Sequence, residues 1–128
     1  MDYKELYRMA DAVKENAYAP FSKFNVGAAL LAGSGKVYTG VNVENASYGG
    51  TICAERTAFV KAVSEGERSF TAIAIAASEG EALPCGICRQ FMYEFNPELD
   101  VITGENEESF RVQKLSVLLP EGFQLERK

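Results

Sequence analysis

Three cysteines and one glutamate are the residues of this chain best suited to chemistry. Cys53-Ala54-Glu55 and Pro84-Cys85-Gly86-Ile87-Cys88 each open a stretch that reads as a helix. Positions three apart share a helix face, so Cys85 and Cys88 can reach one metal ion. Cys53 opens a different helix, and two helix starts can converge at one end of a sheet, so a third thiolate is geometrically plausible. Helix N-termini carry partial positive charge and favour the ligating thiolate form. Three soft sulfurs suit Zn²⁺. The chain has 3 Cys and 0 His, so water is the expected fourth ligand, as in catalytic rather than structural zinc sites. Glu55 lies two residues after Cys53 and projects to another side of its helix. There a carboxylate can move protons to and from the metal's water without ligating the ion. A redox dithiol, two buried thiols and a structural zinc completed by a neighbouring subunit are the alternative readings.

Three thiolates around one Zn²⁺ leave negative charge, which weakens the metal's pull on its water. Arg56, three residues after Cys53 on the same face, can offset that charge by donating to the sulfurs. Arg89 is a second candidate for the same task. With histidine absent, acid–base work falls to a carboxylate, Lys, Tyr, Cys or metal-bound water.

The elements that must position these residues follow from periodicity. Leu6, Met9, Ala10, Val13 and Ala17 predict a helix over residues 2–18 behind Asp2 as cap. Tyr18-Ala19-Pro20-Phe21-Ser22 ends it. Strands at 24–32 and 36–43 flank Gly33-Ser34-Gly35 and predict an antiparallel hairpin. A loop at 44–51 leads to a helix over 52–65, with Gly66 as its C-terminal cap. Residues 70–77 are apolar almost throughout and predict an interior strand covered on both faces. A helix over 85–95, strands at 99–103 and 109–112 around a turn at 104–107, and a short last helix around Leu115, Leu118 and Leu119 complete the order. The last two strands are separated by about five residues, whereas a parallel crossover needs about a dozen, so they should pair antiparallel.

The expected fold is a three-layer α/β/α sandwich around a five-stranded mixed sheet, one domain over residues 1–128. Thirteen Lys and Arg against eighteen Asp and Glu leave a net charge of −5, which disfavours nucleic acid and anionic membranes as partners. Met1-Asp2-Tyr3-Lys4-Glu5 lacks the basic-then-apolar pattern of a secretory signal, and no apolar run reaches the roughly 18 residues of a membrane span. A cytoplasmic protein with reduced thiols is expected.

The sequence resembles the small zinc-dependent cytidine deaminases of pyrimidine salvage, three-cysteine members of the zinc-deaminase group. The segments that carry the likeness are residues 18–24, 26–30, 40–46, 53–58, 84–90 and 118–120. Leu83, before Pro84, departs from the small polar residue often found in relatives. The resemblance implies one Zn²⁺ per subunit on Cys53, Cys85 and Cys88. Glu55 would take a proton from the metal's water, deliver it to the pyrimidine ring nitrogen, and help the amino group leave as ammonia. The Ala54 N–H would hold the ring carbonyl, Phe24 would pack on the base, and Asn42 and Glu44 would hold the ribose hydroxyls. Phe123 would reach into a neighbouring subunit's site within a homotetramer. Phe24 and Phe123 as plain core residues, and Asn42 and Glu44 as loop caps, are the structural alternatives. Deamination of an antibiotic of the blasticidin S type is the nearest rival function. A nucleic-acid deaminase and a non-enzymatic zinc module are more distant ones.

Overall fold

The computed structural model describes residues 1–126. Its order is α1 (Tyr3–Val13), β1 (Val26–Ala32), β2 (Val37–Val41), α2 (Ala54–Ser64), β3 (Phe70–Ala77), α3 (Gly86–Tyr93), β4 (Asp100–Asn106), β5 (Ser109–Lys114) and α4 (Leu115–Leu118), with 3₁₀ turns at Lys14–Asn16 and Tyr48–Gly50. The strands form one sheet in the order β2-β1-β3-β4-β5. β1 runs antiparallel to β2 and to β3, while β3 and β4 are parallel across the α3 connection. β4 and β5 pair antiparallel, with Asp100 opposite Lys114 and Ile102 opposite Val112.

β3 sits at the centre, as its unbroken apolar run predicts, and its two faces differ. Ile73 and Ile75 join Leu30, Phe59, Met92 and Leu115 in a core beneath α2, α3 and α4. Ala72, Ala74 and Ala76 face the other way, with Ala29 and Ile102, against Leu6, Tyr7 and Ala10 of α1. Branched side chains thus fill one layer, and alanines let α1 lie close in the other. Two glycines mark the tightest approaches. A Cβ on Gly27 would sit 2.1 Å from the Ala10 carbonyl of α1. A Cβ on Gly40 would sit 2.4 Å from the Ala58 amide and 2.6 Å from the Ala54 carbonyl. Gly40 therefore sets how deeply the first turn of α2 settles on the sheet.

Several boundaries differ from the sequence reading. α1 stops at Val13 rather than continuing to Tyr18, because the Tyr18 amide donates to the Asn42 carbonyl and Tyr18 bridges to Val43. α2 starts at Ala54 rather than Ile52, whose backbone exchanges two hydrogen bonds with Val43. The expected turn at 104–107 is narrower, since β4 continues to Asn106 through a register shift after Gly104. The Asp2 cap accepts from the Lys4 amide, and Gly66, at φ 99°, follows α2 in a conformation that suits glycine.

Candidate metal centre and cavity

The site forms at the carboxyl end of β3, where β1 begins. Ser78 donates its amide to the Asn25 carbonyl at 2.8 Å, which closes that edge. Cys53 is the N-cap of α2, Cys85 is the N-cap of α3, and Cys88 lies in the first turn of α3. Both helix starts therefore point their positive ends at one place. The three sulfurs lie within 4.8 Å of one another, and Cys53 and Cys85 are 3.7 Å apart. A tetrahedral zinc with bonds of about 2.3 Å holds its sulfurs about 3.8 Å apart, so the cluster fits the ion. Arg56 donates Nη2 to Cys53 Sγ at 3.6 Å. Its Nε is buried with no hydrogen-bond partner among the described residues, a cationic donor suited to a centre with surplus negative charge. A hydrogen bond from Cys88 lowers the Cys53 thiol pKa to about 5, and the Arg56 guanidinium adds to the effect. Serving as donor in that bond, and being buried, pushes Cys88 the other way.

Glu55 occupies the second position of α2 and is only 4% exposed. Burial raises its pKa to about 7. Glu55 lines a cavity of about 240 Å³ together with Ser22, Phe24, Val26, Asn42, Glu44, Thr51, Ile52, Cys53, Ala54, Leu83 and Cys85. Ala54 is the first residue of α2, and its N–H has no carbonyl within the helix to meet. Glu55, Phe24, Asn42, Glu44 and Ala54 thus share one cavity, into which two of the cysteines also face.

Three sequence-derived candidates make contacts that their expected roles do not describe. Asn42 accepts from the Val26 amide at 2.9 Å and donates to the Phe24 carbonyl at 2.8 Å, so its amide also fastens the entry of β1. Arg89 directs Nε to the Pro84 carbonyl at 2.7 Å and Nη1 to the Leu118 carbonyl at 2.8 Å. These bonds go to backbone rather than sulfur and tie the start of α3 to α4. Phe123 is 62% exposed and lies outside the cavity of its own chain; its backbone is held by Gln90. Sequence reasoning missed Ser22, whose hydroxyl touches Glu44, and Glu81, which accepts from Thr103 at 2.6 Å and from Arg111 at 2.8 and 3.1 Å. A serine two residues after Pro20, with a hydroxyl that can accept from the amide two residues further on, is a legible turn signal for the first. Nothing local distinguishes Glu81, whose partners are about 20 and 30 residues away.

Thiolates at two helix starts with a buried carboxylate beside them make a zinc centre of the water-activating class. The family model for the cytidine and deoxycytidylate deaminase zinc-binding region matches residues 1–104. A cytidine deaminase of Sporosarcina psychrophila is 47% identical, covering 98% of this chain and 94% of that protein. Another, of Halalkalibacterium halodurans, is also 47% identical, covering 98% and 97%. The crystal structure of the Burkholderia pseudomallei cytidine deaminase superposes with a TM-score of 0.90 at 46% identity, covering 96% of this chain and all of that one. The chain belongs to the cytidine and deoxycytidylate deaminase zinc-binding family. It is a hydrolytic deaminase that uses Zn²⁺.

Proposed function

We propose that the chain hydrolyses cytidine and deoxycytidine to uridine and deoxyuridine, consuming one water and releasing ammonia. The observation that carries this reading is the burial of Glu55 in the cavity that Cys53 and Cys85 line. Zinc held by Cys53, Cys85 and Cys88 would supply Lewis acidity and lower the pKa of water. Glu55, with a proton affinity near neutrality, would take one proton from the attacking water and deliver it to the pyrimidine ring nitrogen as the water oxygen bonds to C4. It would then carry the second proton, from the new C4 hydroxyl, to the amino group, which leaves as ammonia as the C4–N bond breaks. The Ala54 N–H binds the ring carbonyl, helped by the positive end of α2. Phe24 packs on the base, and Asn42 and Glu44 take the ribose hydroxyls.

A nucleoside fits better than a nucleotide. Among the described residues, no Lys or Arg lines the cavity, and its carboxylates Glu44 and Glu55 repel a phosphate. The antibiotic-deaminase alternative has no support among the relatives named above. Incubating the purified protein with cytidine should yield uridine and ammonia in equal amounts; no ammonia from cytidine would refute the reading.

The same proposal places the protein in the cytoplasm, in pyrimidine salvage, as a homotetramer. Among the described residues no helix is long and apolar enough to cross a membrane. The exposure of Phe123 suits a side chain that completes a neighbouring subunit's cavity. Light scattering should report four subunits, and an active monomer would remove the role of Phe123.

A further inference from the structure

We propose that Ser22 is a positioning residue that sets the Glu44 carboxylate for the substrate's sugar. This rests on the reading that Glu44 takes the ribose hydroxyls. Ser22 Oγ accepts from the Phe24 amide at 3.0 Å and donates to Glu44 Oε2. Because the Phe24 N–H occupies a lone pair of the hydroxyl, the hydroxyl proton is free to point at the carboxylate. The other carboxylate oxygen, Oε1, accepts from the Phe21 amide at 3.0 Å and the Ser22 amide at 3.1 Å. Glu44 is therefore held at both oxygens, and Ser22 contributes at each. The Ser22 hydroxyl leads the causes that keep the carboxyl below the usual carboxylate range, and nearby Lys23 acts in the same direction.

The backbone shows what this arrangement requires. Lys23 has φ 63°, the one non-glycine residue with positive φ among the described residues. A side chain in that region is strained, and neighbouring bonds must hold it there. The left-handed turn at Lys23 lies between Ser22 and Phe24, the two partners in the hydroxyl–amide bond. Ser22, Phe24 and Glu44 all line the cavity. The hydroxyl thus links the residue against the base to the residue against the sugar, and it fixes their spacing before substrate arrives.

The test compares Ser22→Ala and Ser22→Thr with the wild-type chain on cytidine and on 2′,3′-dideoxycytidine, which lacks the ring hydroxyls Glu44 would hold. Ser22→Ala should raise KM for cytidine about 5- to 30-fold, a part of the roughly 10- to 150-fold that a charge-assisted hydrogen bond carries because Ser22 acts through Glu44, with kcat changed less than about twofold. Zinc content should stay at the wild-type level. Efficiency on the dideoxynucleoside should fall by much less, reporting only the loosened Phe24 against the base, and Ser22→Thr should recover most of the loss on cytidine. In a Glu44→Ala background, Ser22→Ala should add less than about twofold, because coupled residues are not additive. Equal losses on both nucleosides, or full additivity with Glu44→Ala, would overturn the role of Ser22 while leaving the substrate reading intact. A wild-type chain inert toward cytidine would overturn both.

Discussion

Arg56 and Cys53 meet across one turn of α2, with Nη2 at 3.6 Å from the sulfur. The helix that supplies a thiolate thereby also supplies the cation that offsets it. With that cation removed, the sulfur charge falls more heavily on the metal and weakens its pull on water. Arg56→Gln should keep zinc bound, lower kcat by about tenfold at neutral pH, and move the acid side of the kcat profile to higher pH. Unchanged kcat and an unchanged profile would show that the contact only packs the helix.

Glu55→Gln keeps the shape of the side chain and removes its proton transfer. Turnover on cytidine should fall by at least the roughly 10²–10⁴-fold of lost acid–base catalysis. Elemental analysis should still find about one zinc per chain, since three thiolates with an open fourth place bind the ion without this carboxylate. Loss of zinc in the variant would instead make Glu55 a ligand.

Glu81 ties the loop before Cys85 to the β4–β5 hairpin through Arg111 and Thr103. The Arg111 hydrogen bond, and then the Thr103 hydroxyl, hold its carboxyl below the ordinary value. A depressed folded-state pKa adds stability that is complete above the unfolded value, about 4.3 for Glu, and is lost as pH falls through the folded one. Glu81→Gln should therefore lower Tm by about 2–5 °C at pH 7, and the gap should close in acid. Measuring the difference between the two proteins cancels the other salt-bridged carboxylates, which both share. A gap that widened in acid would reverse the assignment.

Phe59 on α2 is fully buried, with ring centres of Phe70 at 4.8 Å, Phe95 at 5.4 Å and Phe91 at 6.2 Å. Phe59→Ala should cost about 3–5 kcal/mol, as large-to-small core changes do. Thermal unfolding at one fixed protomer concentration should show Tm lower by about 10–20 °C. A drop under about 3 °C would mean that the aromatic cluster collapses around the gap.

Much of the zinc centre is legible in the chain because its parts are local. Cys85 and Cys88 share a helix face by spacing alone, Glu55 and Arg56 take their sides of α2 from their offset to Cys53, and helix starts favour thiolates whatever surrounds them. The central place of β3 is equally legible, since an apolar run such as Phe70–Ala77 must be covered on both faces. What periodicity could not supply is the partnership of groups distant in the chain. That Ile52 leaves the helix to pair with Val43, that Asn42 fastens the entry to β1, and that Arg89 spends its donors on Pro84 and Leu118 all depend on which backbone groups the fold leaves unpaired. Ser22 on Glu44 and Glu81 on Arg111 belong with them. Helix and strand patterns record which side of an element is apolar, a property of neighbours in sequence. Hydrogen bonds across about 20 or 30 residues are decided by where the packed sheet and its loops bring polar atoms together.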